Sequence, residues 1–154
     1  MTTATTTSYN EMVLEVEFDP VGAAGTYSKI CGMTGVTINR TPNITETPVP
    51  DCDDESLPHN IEKDVASISV TVSATGVWAA ARKHELLDWF YSAGKLNCRL
   101  RDVQAEQNGA SGDIYAEYGP AVIGISNERP ADKGRITASI ELQFDGTPQR
   151  LTVA

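Results

Sequence analysis

The stretch Ser67-Ile68-Ser69-Val70-Thr71-Val72-Ser73 carries the fold class. Ile68, Val70 and Val72 alternate with Ser67, Ser69, Thr71 and Ser73, a period of two with one greasy face and one face of small hydroxyls. That is the signature of a half-buried strand. Arg135 to Phe144 repeats it, with Ile136, Ala138, Ile140, Leu142 and Phe144 opposing Arg135, Thr137, Ser139, Glu141 and Gln143. Toward the N-terminus, Met12, Leu14, Val16 and Phe18 share one parity while Glu11, Glu15 and Glu17 take the other. The same reading places strands at Thr26–Cys31, Gly35–Arg40 (Val36 and Ile38 inward), Leu96–Arg101 and Ala121–Ser126. A terminal strand at Leu151–Ala154 follows the Asp145-Gly146 turn. Gln104–Gly112 reads as a loop. One helix is expected over Val77–Ala93, ended by Gly94, with Ala79, Leu86, Leu87 and Phe90 on its apolar face and Trp89 at the edge. The expected class is mainly β: two packed antiparallel sheets, sandwich- or barrel-like, with one flanking helix.

The chain has 154 residues, one domain by length. Residues 1–10, mostly Thr and Ala, read as a flexible arm, and 11–154 as a single domain. Within it, 41–64 stands apart. It holds Pro42, Pro48, Pro50 and Pro58, and seven acids (Glu46, Asp51, Asp53, Asp54, Glu55, Glu62 and Asp64) against the one base Lys63. So proline-rich and acidic a stretch reads as a long loop, and loops of this length are functional or disordered.

The net charge is −9, which disfavours a protein that neutralises DNA phosphates. No apolar run of about 18 residues is present, so no membrane span is expected, nor a secretory signal. Cys31, Cys52 and Cys98 are odd in number and widely spaced, as free thiols are.

Candidate chemistry is thin. His84 and Asp88 sit one helical turn apart, but a zinc-protease helix needs a second His where Asp88 stands. Asp51-Cys52-Asp53-Asp54-Glu55 with His59 lacks the rhythm of a calcium loop. Gly124-Ile125-Ser126-Asn127-Glu128 misses the last position of a nucleophile elbow. No catalytic residue, metal ligand or cofactor is expected. A sandwich that binds a ligand on Trp78 and Trp89 is the alternative outside assembly.

Several pieces, taken in order, resemble one family: Cys31-Gly32-Met33-Thr34-Gly35-Val36, the Pro48-Val49-Pro50-Asp51-Cys52-Asp53-Asp54 stretch, the Ser67–Ser73 strand, the helix with Leu86, Leu87 and Trp89, the Lys95–Arg101 strand, and the block from Gly119-Pro120-Ala121-Val122 through Ile136 to Gly146-Thr147-Pro148. The family is that of the major tail tube proteins of long-tailed (siphovirus-type) bacteriophages and gene transfer agents. The resemblance implies a virion structural protein, made in the host bacterial cytoplasm, that forms hexameric rings stacked into a DNA conduit. It implies other tail proteins as partners (tip complex, tape measure, terminator) and genomic DNA that passes without specific binding. Ser67, Ser69, Thr71, Thr137, Ser139 and Glu141 are then expected to line the lumen. Pro48, Asp51, Cys52, Asp53, Asp54, Glu55 and His59 are expected to contact a neighbouring ring or subunit. A terminator, a distal tail protein or a secretion-system tube shares the implied architecture.

Overall fold

The computed structural model describes residues 3–154; Met1 and Thr2 of the expected arm lie outside the described residues. Among these residues eight strands follow one another: β1 Met12–Val16, β2 Ser28–Lys29, β3 Met33–Val49, β4 Asn60–Val77, β5 Leu96–Asp102, β6 Ile114–Glu128, β7 Thr137–Phe144 and β8 Gln149–Thr152. Helix α1 spans Lys83–Ser92 between β4 and β5, and α2 spans Val103–Asn108 after β5. All strand pairs are antiparallel.

The expected pair of sheets is one continuous sheet in the order β2-β1-β5-β6-β7-β4-β3, with β8 also on β6. The reason is the length of β6. Its first half pairs with β5 and β8, its second half with β7, and the buried Ala121 pairs with both Leu96 and Phe144. The sheet folds over at this point into two layers. Leu14, Val16, Cys98 and Leu100 of one layer share a core with Val72, Ala74, Ile140 and Leu142 of the other. Full burial of each such aliphatic side chain is worth about 1.5–3 kcal/mol.

The sequence-derived alternation is borne out in β4 and β7, where Val70, Val72, Ala138, Ile140 and Leu142 are buried. It misplaces the outer side of β1. Glu15 and Glu17, read as solvent-facing, are buried. Glu15 lies 3.3 Å from Arg99 and 3.1 Å from Arg101, and the Glu17 carboxylate accepts the Gly25 N–H at 2.8 Å. Paired in this way, the carboxylates need no water.

Other boundaries moved for local reasons. The helix begins at Lys83, not Val77, because Val77 continues β4 opposite Thr137. Its buried face is therefore Leu86 with Trp89, and Phe90 is exposed. Ala93 adopts the left-handed conformation at its end. The first half of the expected loop Gln104–Gly112 is helical, because Asp102 just before it accepts the Ala105 N–H at 3.1 Å and starts α2, as an N-cap Asp does. The end of the expected arm is tied down, since Tyr9 Oη donates to the Thr34 carbonyl at 2.8 Å.

Candidate functional site

The largest correction concerns 41–64. Residues 41–49 and 60–64 are the paired ends of β3 and β4, and only 50–59 form a loop. Prolines do not prevent this, because β3 is an edge strand and its outer side needs no N–H donors. β7 flanks β4 only over Thr71–Val77. Residues 42–49 and 60–68 therefore leave the body as a two-stranded arm, about 25 Å long at the usual strand rise. A register shift between Asn43 and Ile44 marks its base, and bulges of this kind re-aim a strand.

The arm has two unlike faces. Pro42 pairs with Ile68, Ile44 with Val65 and Pro48 with Ile61, an apolar strip broken by Glu46 opposite Lys63. Ile44, Ile61, Val65 and Ile68 are all about half exposed or more. The other face carries Thr41, Asn43, Thr45 and Thr47 opposite Ser69, Ser67, Asp64 and Glu62.

That polar face continues across the second layer of the body, with Val77 and Val122 as its apolar positions. Thr37 of β3, Ser73 of β4, Glu141 of β7 and Gly124 of β6 form one row in register. Ser126, Ser139 and Thr75 form the row on one side, and Gln143, Thr71 and Asn39 belong to the row on the other. Neither Lys nor Arg occurs among the positions of this face, whereas Glu128, Glu141, Glu62 and Asp64 do. Most of its side chains are open to solvent. Asn43 Nδ2 donates to Ser67 Oγ at 2.7 Å and Gln143 Nε2 to Glu141 Oε1 at 3.1 Å, which holds the polar side chains flat.

All six residues expected to line a lumen fall on this one face. Thr71, Thr137, Ser139 and Glu141 lie on the body, and Ser67 and Ser69 where the arm departs. Gln143, on the same parity as Ser139 and Glu141, extends the face along β7, and Thr37, Asn39, Ser126 and Glu128 join it through register, which no local pattern reports. Of the residues expected at a subunit contact, Asp51, Cys52, Asp53, Asp54, Glu55 and His59 gather at the arm's tip, while Pro48 sits on its apolar strip. The tip is internally bonded. Asp51 Oδ1 accepts the N–H groups of Asp53 (2.8 Å) and Asp54 (3.0 Å), and Asp54 accepts from Ser56. These bonds hold both carboxyls below the usual aspartate range, through the backbone N–H groups for Asp51 and first through the Ser56 hydroxyl for Asp54. No cluster of three or more potential metal ligands occurs among the described residues.

The layers are closed at one end by an ion pair. Arg40 of β3 and Glu117 of β6 meet through Nη2 and Oε1, with Arg40 Nε 3.1 Å from the same oxygen. Trp89, offered as half of a binding platform, is instead buried, with Nε1 donating to the Gly94 carbonyl at 3.1 Å.

A family model described as phage tail tube protein matches residues 6–150. A search of curated proteins by sequence finds no match. Among solved structures, the fold is similar to the tail of an empty gene transfer agent (GTA) particle refined with C6 symmetry: TM-score 0.73, 11% identity, 95% of this chain and 99% of that one. It is similar to a chain of the native GTA virion at TM-score 0.66 and 12% identity, with 95% and 99% covered. It is also similar to the SPP1 tail tube at TM-score 0.64 and 14% identity, with 97% and 80% covered. With nearly the whole length matched by the family model, the chain belongs to the phage tail tube protein family.

Proposed function

We propose that this chain is a structural, non-enzymatic subunit of a virion tail tube, and that its cation-free hydroxyl face lines the lumen. Copies join side by side into rings, six per ring as in the C6 tail to which the fold is similar, and the rings stack. The observation that carries the reading is the polar face spanning β6, β7, β4 and β3 with acids and no bases. A wall of short hydroxyls with scattered carboxylates offers DNA phosphates no counter-charge and repels them at short range.

The geometry suits a conduit. Four strands from each of six subunits make a barrel of about 24, which closes at a backbone radius of roughly 24 Å for ~4.8 Å spacing and ~40° tilt. That width passes duplex DNA without contact. The four-stranded layer has two free borders, the outer side of β3 and the part of β6 beyond Ala121. Unpaired borders are a hazard in a monomer and a means of association in a ring.

The arm is the proposed contact between neighbouring subunits or rings. Its apolar strip is exposed and continues the core side of the sheet, and such exposed strips mark interaction surfaces. Its tip, with Asp51 to Glu55 and His59, reaches furthest. Other tail proteins cap the two tube ends, and DNA passes through without sequence-specific contact.

Cryo-electron microscopy of assembled tubes tests the reading. The hydroxyl face is expected on the lumen wall. A lumen lined by the α1 side, or normal tubes from a chain lacking Pro48 to Asn60, contradicts the proposal for the face or the arm respectively.

A further inference from the structure

The two lateral borders of the four-stranded layer carry complementary shapes. At the β3 border the sheet fails to close on itself, because β2 pairs only with Glu15 and Val16 and leaves the start of β1 open. A groove of about 370 Å³ lies along this seam. Its floor is apolar (Met12, Leu14, Ile30, Met33 and Val36), and Lys29 is the only Lys, Arg, Asp or Glu among its lining residues. At the opposite border, β5 stops pairing with β6 at Ala121 and α1 packs against the strand beyond it. There Phe90 and Tyr91 meet edge to face, their ring centroids 5.2 Å apart. They are 45% and 78% exposed, and Asp88 lies one turn before Tyr91.

We infer that the Phe90–Tyr91 knob of one copy seats in the Met12–Leu14–Met33 groove of the next, with Asp88 facing Lys29. A second copy is the occupant because knob and groove sit on the two opposite borders of one sheet. A head-to-tail contact brings such borders together and, repeated, closes a ring. Asp88 and Lys29 are opposite in charge, and aromatic side chains seated in apolar pockets dominate interface energetics. The inference rests on the tube reading above. It adds which side chains hold neighbours within a ring, where the arm is a separate contact.

The test uses the full chain with Cys31→Ser and Cys52→Ser, so that buried Cys98 remains. Ser92→Cys, beside the knob, and Thr34→Cys, on the groove's rim, are added at exposed positions that leave Phe90 and Tyr91 in place, and assembled tubes are treated with a short bis-maleimide. Denaturing gels should show a ladder ending at the closed ring, with no ladder from either substitution alone. Tyr91→Ala should raise the concentration needed for assembly by about tenfold, with Tyr91→Phe restoring it and monomer melting unchanged. Normal tubes with no ladder, or Tyr91→Ala assembling at the parent concentration, overturn the knob-and-groove contact and leave the tube reading standing. A parent chain absent from rings, tubes and phage tails alike overturns both.

Discussion

Replacing the arm's apolar strip should separate folding from assembly. Ile44, Ile61, Val65 and Ile68 are 51%, 50%, 61% and 49% exposed. About half of each side chain therefore remains to be covered by a partner. Full burial of such a side chain is worth about 1.5–3 kcal/mol, and threonine keeps one methyl, so each change to Thr costs about 0.5–1 kcal/mol of association. The quadruple variant Ile44→Thr, Ile61→Thr, Val65→Thr and Ile68→Thr thus loses about 2–4 kcal/mol per contact, roughly a 30- to 1,000-fold weaker association. The monomer should barely change, because across the arm these residues face only one another or Pro42 and Pro48 and threonine suits a strand. Sedimentation and electron microscopy over a concentration series read assembly, and circular dichroism melting reads the monomer. Tubes at the parent concentration from a normally melting variant would refute the assignment of the strip to an interface. A monomer that melts far earlier would place the strip against its own body, which refutes the reasoning in another way.

Ile140 is fully buried between Ala74 and Ile125 in register, so Ile140→Ala should cost about 2–5 kcal/mol in denaturant unfolding. Glu141→Lys puts a cation in the middle of the hydroxyl face; tubes should still form, but they should retain DNA at low salt and release it as salt rises, in a filter-binding assay. Burial pushes the Cys98 thiol up to about 12, whereas Cys31 and Cys52 are exposed; a thiol reagent near pH 8 should label two cysteines in the native chain and the third only on unfolding. The carboxyls of Asp51 and Asp54 are lowered by bonds made in the folded tip, so those bonds hold above the ordinary aspartate range of about 4 and fail as pH falls through the lowered values. Amide exchange at Asp53, Asp54 and Ser56 should accelerate there while the amides of β7 stay protected.

The strands with one buried face were legible in the sequence because alternation is local. Ile68 to Ser73 and Ile136 to Phe144 announce which side meets the core, and the hydroxyl positions Ser67, Ser69, Thr71, Thr137 and Ser139 came with them. Arg135 read as part of the same polar side, and only the start of β7 at Thr137 leaves it outside the face. Long-range pairing decided the rest. Residues 41–64 read as a loop because proline and acid density report local preference, while the cross-strand partners Ile61, Val65 and Ile68 that hold 42–49 straight lie 13 to 26 residues away. Glu15 read as exposed because Arg99 and Arg101, its neutralising partners, are 84 and 86 positions downstream. Period and composition determined that there is a β fold with a hydroxyl surface. Only the tertiary structure decided that β6 serves two layers, that the surface spans four strands and an arm, and that an apolar groove and an aromatic knob end on opposite borders. Register between distant strands is set by the packing of the whole core, and no local window contains it.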